Sequence, residues 1–131
     1  MPESNPAAAK AVILLVDDEA DMRKVLGRRI ASWGYEVVEA ADGEDAIRLT
    51  DVHHPHCILM DLLMPTLDGL GACRRLKAAE ATRHIPVLVL TAKDSRTLEA
   101  DVQAAGADGL LRKPCDPVQL QQLIQQMLAR P

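Results

Sequence analysis

Residues 12–19 read Val-Ile-Leu-Leu-Val-Asp-Asp-Glu, a short apolar run that ends abruptly in carboxylates. A continuous β-rich run of this kind is typical of a strand buried on both faces of a parallel sheet. Residues 57–61, Cys-Ile-Leu-Met-Asp, and residues 87–91, Val-Leu-Val-Leu-Thr, have the same design. The pattern therefore predicts several buried strands that end at polar side chains.

Segments with helical spacing of apolar residues separate these runs. The first has its apolar stripe at Met22, Val25, Leu26, Ile30 and Trp33. Further helices are predicted at about 44–51, around 70–76, at roughly 95–105 and from 117 onward, and shorter strands at 36–39 and 110–112. Asp116 is the predicted N-cap of the last helix, with Pro117 at its first position. Five strands that alternate with five helices predict one α/β domain, a parallel sheet with helices on both faces.

Aromatic residues are nearly absent, since Trp33 and Tyr35 are the only two in 131 residues. Modules that bind single-stranded nucleic acid stack bases on aromatic side chains, so this function is disfavoured. A net charge of −4 also offers no basic field to phosphate backbones. We therefore expect no nucleic-acid contact by this domain.

Length and cysteine usage predict the domain organisation and the compartment. Residues 11–130 are predicted to form a single domain after a short disordered leader at 1–10. Cys57, Cys73 and Cys115 are odd in number and widely spaced, which favours reduced thiols over a disulfide framework. No apolar run approaches the roughly 20 residues of a membrane span. The sequence thus predicts a cytoplasmic protein without membrane association.

Polar side chains at the strand ends form the candidate site. Ligands of doubly wound sheets bind beyond the carboxyl ends of the strands, and there the sequence has Asp17, Asp18, Asp61, Thr91 and Lys113. Three neighbouring carboxylates repel one another, and without a cation at least one would keep its proton. Mg²⁺ relieves this repulsion, and it prefers one or two carboxylates together with water and phosphate oxygens. The site therefore suits both a metal ion and a phosphoryl group.

The same residues supply what phosphoryl transfer needs. An ionised aspartate can act as the nucleophile and form an acyl phosphate. Lys113 can pair with a phosphoryl oxygen, and the Thr91 hydroxyl can donate to another. Neither a G-x-x-x-x-G-K-[ST] loop nor a G-x-G-x-x-G motif occurs, so the common nucleotide-binding loops are absent from the sequence.

The ordered motifs resemble the receiver domain of bacterial two-component response regulators, the CheY-like family. The matching segments are Val16-Asp17-Asp18-Glu19, Asp42-Gly43, Asp61-Leu62-Leu63-Met64-Pro65, Asp68-Gly69, Thr91-Ala92, Gly106-Ala107-Asp108 and Lys113-Pro114. Asp61 follows Asp18 by 43 residues, and the resemblance covers about residues 11–129. It implies a flavodoxin-like (βα)5 fold with strand order 2-1-3-4-5.

The resemblance also implies a role for each acidic-site residue. Asp61 is similar to the phosphoacceptor of the family, and Asp18 to its direct Mg²⁺ ligand. Asp17 would hold a metal-bound water, and the backbone carbonyl of Leu63 would be a further metal ligand. Lys113 would contact the phosphoryl group.

The switch and the partners are likewise implied by the resemblance. Thr91 would be the switch hydroxyl, Ala92 the small residue that leaves room for the phosphate, and the Lys113–Pro114 bond would be cis. The donor would be a sensor histidine kinase or a phosphotransfer protein. The chain would be a signalling switch that catalyses only its own phosphorylation and dephosphorylation, as a monomer or a phosphorylation-dependent dimer. Its surface around the fourth helix, fifth strand and fifth helix would control a downstream protein or an output domain outside this chain.

Two positions depart from the family pattern. Leu110 stands where the family usually has tyrosine or phenylalanine, and Cys115 where phenylalanine commonly follows Lys-Pro. In the family the ring at the first position rotates when the switch threonine moves. Because Leu110 has neither a planar ring nor a hydroxyl, we expect a modified or weaker surface change with unaltered phosphorylation chemistry.

Other functions are less favoured by the residues. A small Mg²⁺-dependent phosphohydrolase with an aspartate nucleophile is the alternative, but its usual D-x-D is replaced here by Asp17-Asp18. A flavodoxin-like cofactor binder would need aromatic residues at the strand ends. A transition-metal site at His53-His54-Pro55-His56-Cys57 is disfavoured because adjacent loop residues rarely face one ion. The basic cluster of Arg74, Arg75 and Lys77 is interpreted as a solvated helix face, with a contact to a partner as the alternative.

Overall fold

The computed structural model describes residues 10–61, 69–91 and 96–129, with side chains from residue 99 onward in the last range. The strands are β1 (Val12–Val16), β2 (Glu36–Ala40), β3 (Cys57–Asp61), β4 (Val87–Thr91) and β5 (Gly109–Arg112). The helices are α1 (Ala20–Ser32), α2 (Gly43–His53), α3 (Gly69–Ala78), α4 (Arg96–Ala104) and α5 (Pro117–Leu128). Each strand is followed by a helix, which confirms the predicted α/β alternation.

All strand pairs are parallel, and the order across the sheet is β2-β1-β3-β4-β5, which confirms the predicted strand order. The chain runs outward from β1 to β2 and then returns to β3 on the other side of β1. Strand order therefore reverses between β1 and β3, and ligands of such sheets bind at this switch point. Val16 pairs with Met60, so the residues that follow them, Asp17 and Asp61, lie at the same edge.

The apolar strand runs are buried on both faces because successive side chains of a strand point to opposite sides. One core cluster includes Leu14, Val16, Ile58, Met60 and Val89, with helices α2 and α3 contributing to it. The other cluster includes Ile13, Leu15, Cys57, Leu59 and Leu90, with α1 and α5 contributing. The sheet is thus held between two aliphatic layers, which leaves its carboxyl edge as the place for polar side chains.

Local capping explains where several helices begin and end. The side chain of Asp116 accepts a hydrogen bond from the backbone N–H of Val118, and Pro117 is the first residue of α5, as predicted. Asp42 caps α2 in the same way, accepting from the N–H of Asp45. Gly34, just after α1, has a φ of 98°, a conformation that L-residues with side chains rarely adopt.

Within the described residues, none of the helices combines the length and the apolar character needed to span a bilayer.

Candidate phosphoryl-transfer site

Three carboxylates meet at the carboxyl edge of β1 and β3. Asp17, Asp18 and Asp61 each offer one carboxylate oxygen, and these oxygens all lie within 4.8 Å of one another. Asp17 and Asp61 are 4% and 8% exposed, whereas Asp18 is exposed to solvent. The parallel register that aligns Val16 with Met60 produces this cluster.

Asp17 is held by contacts at its backbone and at its side chain. Its N–H donates to the carbonyl of Ala40 on β2 at 3.1 Å. Its Oδ1 accepts from the backbone N–H of Glu19 at 3.0 Å. Because these bonds restrain both the main chain and the carboxylate, Asp17 has a defined direction in the site.

Lys113 provides the cation of the cluster. Its Nζ lies 3.4 Å from Asp17 Oδ2 and 3.5 Å from Asp61 Oδ2. Its backbone N–H donates to the carbonyl of Thr91 at 2.8 Å, and the Lys113–Pro114 peptide bond is cis. The two side-chain distances place Nζ at the carboxyl edge of the sheet, beside the end of β4.

The electrostatics keep this ammonium charged. Burial disfavours the charged form of Lys113, but the carboxylates of Asp61 and Asp17 outweigh burial and raise its pKa above the ordinary value of 10.5. Three carboxylates and one ammonium still leave the cluster with a net charge of −2 if all are ionised. The site therefore attracts a further cation while retaining a positive group beside Asp61.

Thr91 ends β4 next to Asp61, since Asp61 pairs with Leu90 in the sheet. Thr91 is 1% exposed and belongs to the same edge as the carboxylates. Two residues that the resemblance assigns to the site, Leu63 and Ala92, lie outside the described residues. The structure thus brings together Asp17, Asp18, Asp61 and Lys113, with Thr91 on the adjoining strand.

The donor set fits a hard divalent cation. Carboxylate oxygens suit Mg²⁺, which prefers oxygen ligands and keeps part of its water shell, and exposed Asp18 is open to solvent. In the part of the chain that the structure describes, this is the one group of three or more potential ligating side chains close enough to share an ion. The histidines at 53, 54 and 56 form no such group with Cys57, which is buried at the start of β3.

Leu110 lies on β5 and is not a member of the acidic cluster. It is half-buried and packs against the first core cluster. It also lines a cavity of about 300 Å³ between α4 and β5, together with Glu99, Val102, Gln103 and Arg112. An aliphatic side chain therefore occupies the position where the family usually has an aromatic ring.

Two cations have contacts that the sequence analysis missed. Lys77, interpreted as part of a solvated face, is 16% exposed and pairs with Asp108 Oδ2 at 2.8 Å. Its neighbour Arg75 is exposed as expected and pairs with Glu44. Arg23 on α1 donates to the backbone carbonyl of Asp17 at 2.7 Å. Its place in the first turn of α1, close after the end of β1, was the available signal, because a long side chain there can reach back to the strand end.

Known proteins resemble this chain in sequence. A family model described as the response regulator receiver domain matches residues 13–125. The chain is 39% identical over 121 residues to "Probable transcriptional regulator ycf27" of Cyanophora paradoxa, covering 92% of this chain and 49% of the relative. It therefore spans about half the length of the curated relatives it matches first.

Solved structures agree closely in fold. Chemotaxis protein CheY4 of Vibrio cholerae superposes with a TM-score of 0.86 at 31% identity, covering 92% of this chain and 100% of that one. The receiver domain of a sensor histidine kinase from Pseudomonas aeruginosa, crystallised with a magnesium ion coordinated in the active site cleft, has a TM-score of 0.85 at 33% identity. That match covers 94% of this chain and 100% of the other.

Proposed function

Because the chain belongs to the response regulator receiver domain family, we propose that it is a phosphoacceptor switch whose acceptor is Asp61. The phosphoryl group would come from a sensor histidine kinase or a phosphotransfer protein. Residues 11–130 would form the receiver unit, preceded by a leader at 1–10.

The contact of Lys113 with two carboxylates of the acidic cluster carries this proposal. Its Nζ is 3.5 Å from Asp61 Oδ2, so a phosphoryl group on Asp61 would meet a positive charge at once. In the transfer, a bond forms between a carboxylate oxygen of Asp61 and phosphorus. The bond from phosphorus to the donor's leaving atom breaks, and that atom keeps the electron pair. Lys113 then pairs with a phosphoryl oxygen, while Thr91 at the end of the next strand donates its hydroxyl to another.

We assign the metal site to Asp18 and Asp61 directly, to Asp17 through a water, and to the backbone carbonyl of Leu63. The three carboxylates lie within range of one ion, and a similar receiver domain holds magnesium in its active site cleft. When bound, Mg²⁺ neutralises the carboxylates and the developing charge of the phosphoryl group. Asp17 would orient the water through its fixed carboxylate.

Signalling would pass from Thr91 and Ala92 to the surface formed by α4, β5 and α5. Leu110 is on β5, half-buried beside the cavity between α4 and β5. Since leucine cannot rotate a planar ring into the space that the threonine vacates, we expect a weaker surface change than in receivers that have the aromatic. The recipient would be a downstream protein or an output domain outside this chain.

Intact mass spectrometry tests the acceptor. Incubation with a small phosphodonor and Mg²⁺ should add the mass of one phosphoryl group to the wild type. The gain should disappear with Asp61→Asn and with a chelator, and it should persist in Asp51→Asn, which removes an exposed carboxylate on α2. A gain that survives Asp61→Asn, or no gain in the wild type, would contradict the proposal. Repeated turnover of a soluble phosphate ester would instead indicate a phosphohydrolase.

Amide chemical shifts test the switch. Addition of a phosphate mimic with Mg²⁺ should shift residues near the acidic cluster strongly and residues 108–125 weakly. Leu110→Tyr should enlarge the shifts at 108–125, because it restores a ring at this position. Wild-type shifts at 108–125 as large as those of the tyrosine variant would refute the weakened switch.

A further inference from the structure

Arg23 links three elements at the edge of the acidic cluster. Its Nη1 donates to the backbone carbonyl of Asp17 at 2.7 Å. Its Nε donates to Glu39 Oε1 on β2 at 2.9 Å, and the ion pair leaves the arginine side chain 16% exposed. The guanidinium of an α1 residue therefore ties the end of β1 to the neighbouring strand.

The carbonyl that Arg23 binds belongs to the peptide plane that joins Asp17 to Asp18. Because a peptide unit is planar, fixing this carbonyl also fixes the amide nitrogen of Asp18. The preceding peptide is fixed as well, since the N–H of Asp17 donates to Ala40 at 3.1 Å. Val16 is the last residue of β1 that pairs with the neighbouring strands. The orientation of Asp18 therefore depends on contacts outside the strand pairing.

The chemistry of the two contacts explains why an arginine serves here. Its planar fork presents several N–H donors in a fixed geometry, and it can therefore satisfy a carbonyl and a carboxylate at the same time. Glu39 in turn holds the guanidinium in place from β2, where it pairs with Leu15 of β1. A lysine would carry the same charge but could not bridge both acceptors with this geometry.

We propose that Arg23 is a positioning residue that sets the direction of Asp18 toward the divalent cation, an inference that rests on the proposed function. The arginine does not touch the cation or the phosphoryl group. It acts through the Asp17–Asp18 peptide, in the way that outer residues commonly orient the ligands of a metal site. Loss of such an outer contact typically weakens metal affinity by about tenfold or more.

Mg²⁺ titrations followed by the amide chemical shifts of residues 17–19 test this role in the full chain. We expect Arg23→Gln to raise the Mg²⁺ dissociation constant about tenfold. Arg48→Gln is the matched control, because it removes an arginine from an exposed ion pair on α2, and its dissociation constant should equal that of the wild type. Thermal unfolding in a chelator is measured for each variant in parallel.

The outcomes separate positioning from structural support. A purely structural arginine would lower the midpoint of unfolding in Arg23→Gln while the folded protein bound Mg²⁺ with wild-type affinity, and that result overturns the proposal. Arg23→Lys should bind with an affinity between wild type and Arg23→Gln. Wild-type affinity in the lysine variant would show that charge alone matters, and would also overturn it.

Glu39→Ala provides a second route if Arg23→Gln does not fold. Removal of this partly exposed glutamate takes away the contact that holds the guanidinium on the β2 side. We expect Glu39→Ala to lose Mg²⁺ affinity, but less than Arg23→Gln. An unchanged affinity in Glu39→Ala counts against positioning. A wild-type protein that binds no Mg²⁺ overturns the proposed function together with this inference, whereas equal binding by wild type and Arg23→Gln overturns this inference alone.

Discussion

Asp61→Asn is expected to stabilise the metal-free protein, although it removes a carboxylate that contacts Lys113. Asp61 has two like charges nearby, Asp17 and Asp18, and one opposite charge. Asparagine is close to aspartate in shape and keeps one carbonyl oxygen as an acceptor. The substitution therefore changes mainly the charge of the cluster.

The magnitude follows from the distances in the cluster. With an effective dielectric constant of about 20, two like charges at the 4.8 Å limit repel by about 3.5 kcal/mol, and Asp61 has two such neighbours. On the same scale the attraction of Lys113 Nζ at 3.5 Å is about 5 kcal/mol. Repulsion therefore exceeds attraction by about 2 kcal/mol. Burial of the Asp61 charge, at 8% exposure, adds a penalty of the same sign.

Urea unfolding at pH 7 in the presence of a chelator measures the effect. We expect the free energy of unfolding of Asp61→Asn to exceed that of the wild type by about 2 kcal/mol, and its melting temperature by about 7 °C. Asp51→Asn is the control, since it removes the same charge from an exposed site. Its stability should stay within about 0.5 kcal/mol of wild type.

Mg²⁺ should reverse the order of stability. A ligand that binds only the folded state adds about 2.7 kcal/mol to the free energy of unfolding when present at 100 times its dissociation constant. This stabilisation by Mg²⁺ should be larger for the wild type than for Asp61→Asn. The metal-free difference should persist at high salt, because buried charges are screened less than exposed ones. Two results in chelator would refute the electrostatic reasoning. Asp61→Asn could be less stable than wild type, or its free energy of unfolding could rise no more than that of Asp51→Asn.

Three further substitutions test interactions that stabilise the fold outside the acidic cluster. Asp42→Ala removes the N-cap of α2 and should cost about 1 kcal/mol in urea unfolding, with no loss of helix elsewhere. Asp108→Ala leaves the half-buried Lys77 ammonium without its carboxylate partner and should cost about 2–3 kcal/mol; a loss below that of Asp42→Ala would contradict a structural role for the pair. Burial raises the pKa of Cys57 from 9.0 to about 12, so the unfolded state releases its proton first. The contribution of Cys57 to stability should therefore fall above pH 9 by up to about 1.4 kcal/mol per pH unit. Cys57→Ala should reduce the observed slope without removing it, because burial also raises the pKa of Cys73 to about 11.

The acidic site was largely predictable because its side chains lie at the ends of strands that the sequence identifies. Apolar runs identify buried strands, and the carboxyl ends of parallel strands meet at one edge. Asp17, Asp61 and Thr91 each follow or end such a run, so their proximity could be inferred before the fold was known. The order of the strands came from the resemblance, since alternation of elements alone allows several orders.

Contacts between distant side chains were not predictable in the same way. Lys77 looks like a surface charge by residue type and helical position, yet the fold brings its Nζ within 2.8 Å of Asp108 Oδ2, just before β5. Arg23 has the helical position of a solvated residue, but the β1–β2 pairing places Glu39 and the Asp17 carbonyl within its reach. Residue type shows that such groups can pair, and only their placement shows that they do.

The amino-acid sequence by itself determined the alternation of strands and helices and the chemistry of the carboxyl edge, because periodicity and residue type are local properties. Only the tertiary structure decided which cation meets which anion. Lys77 pairs with Asp108, and Arg23 rather than another α1 cation binds the end of β1. These choices depend on strand register and helix packing, which join segments far apart in the chain.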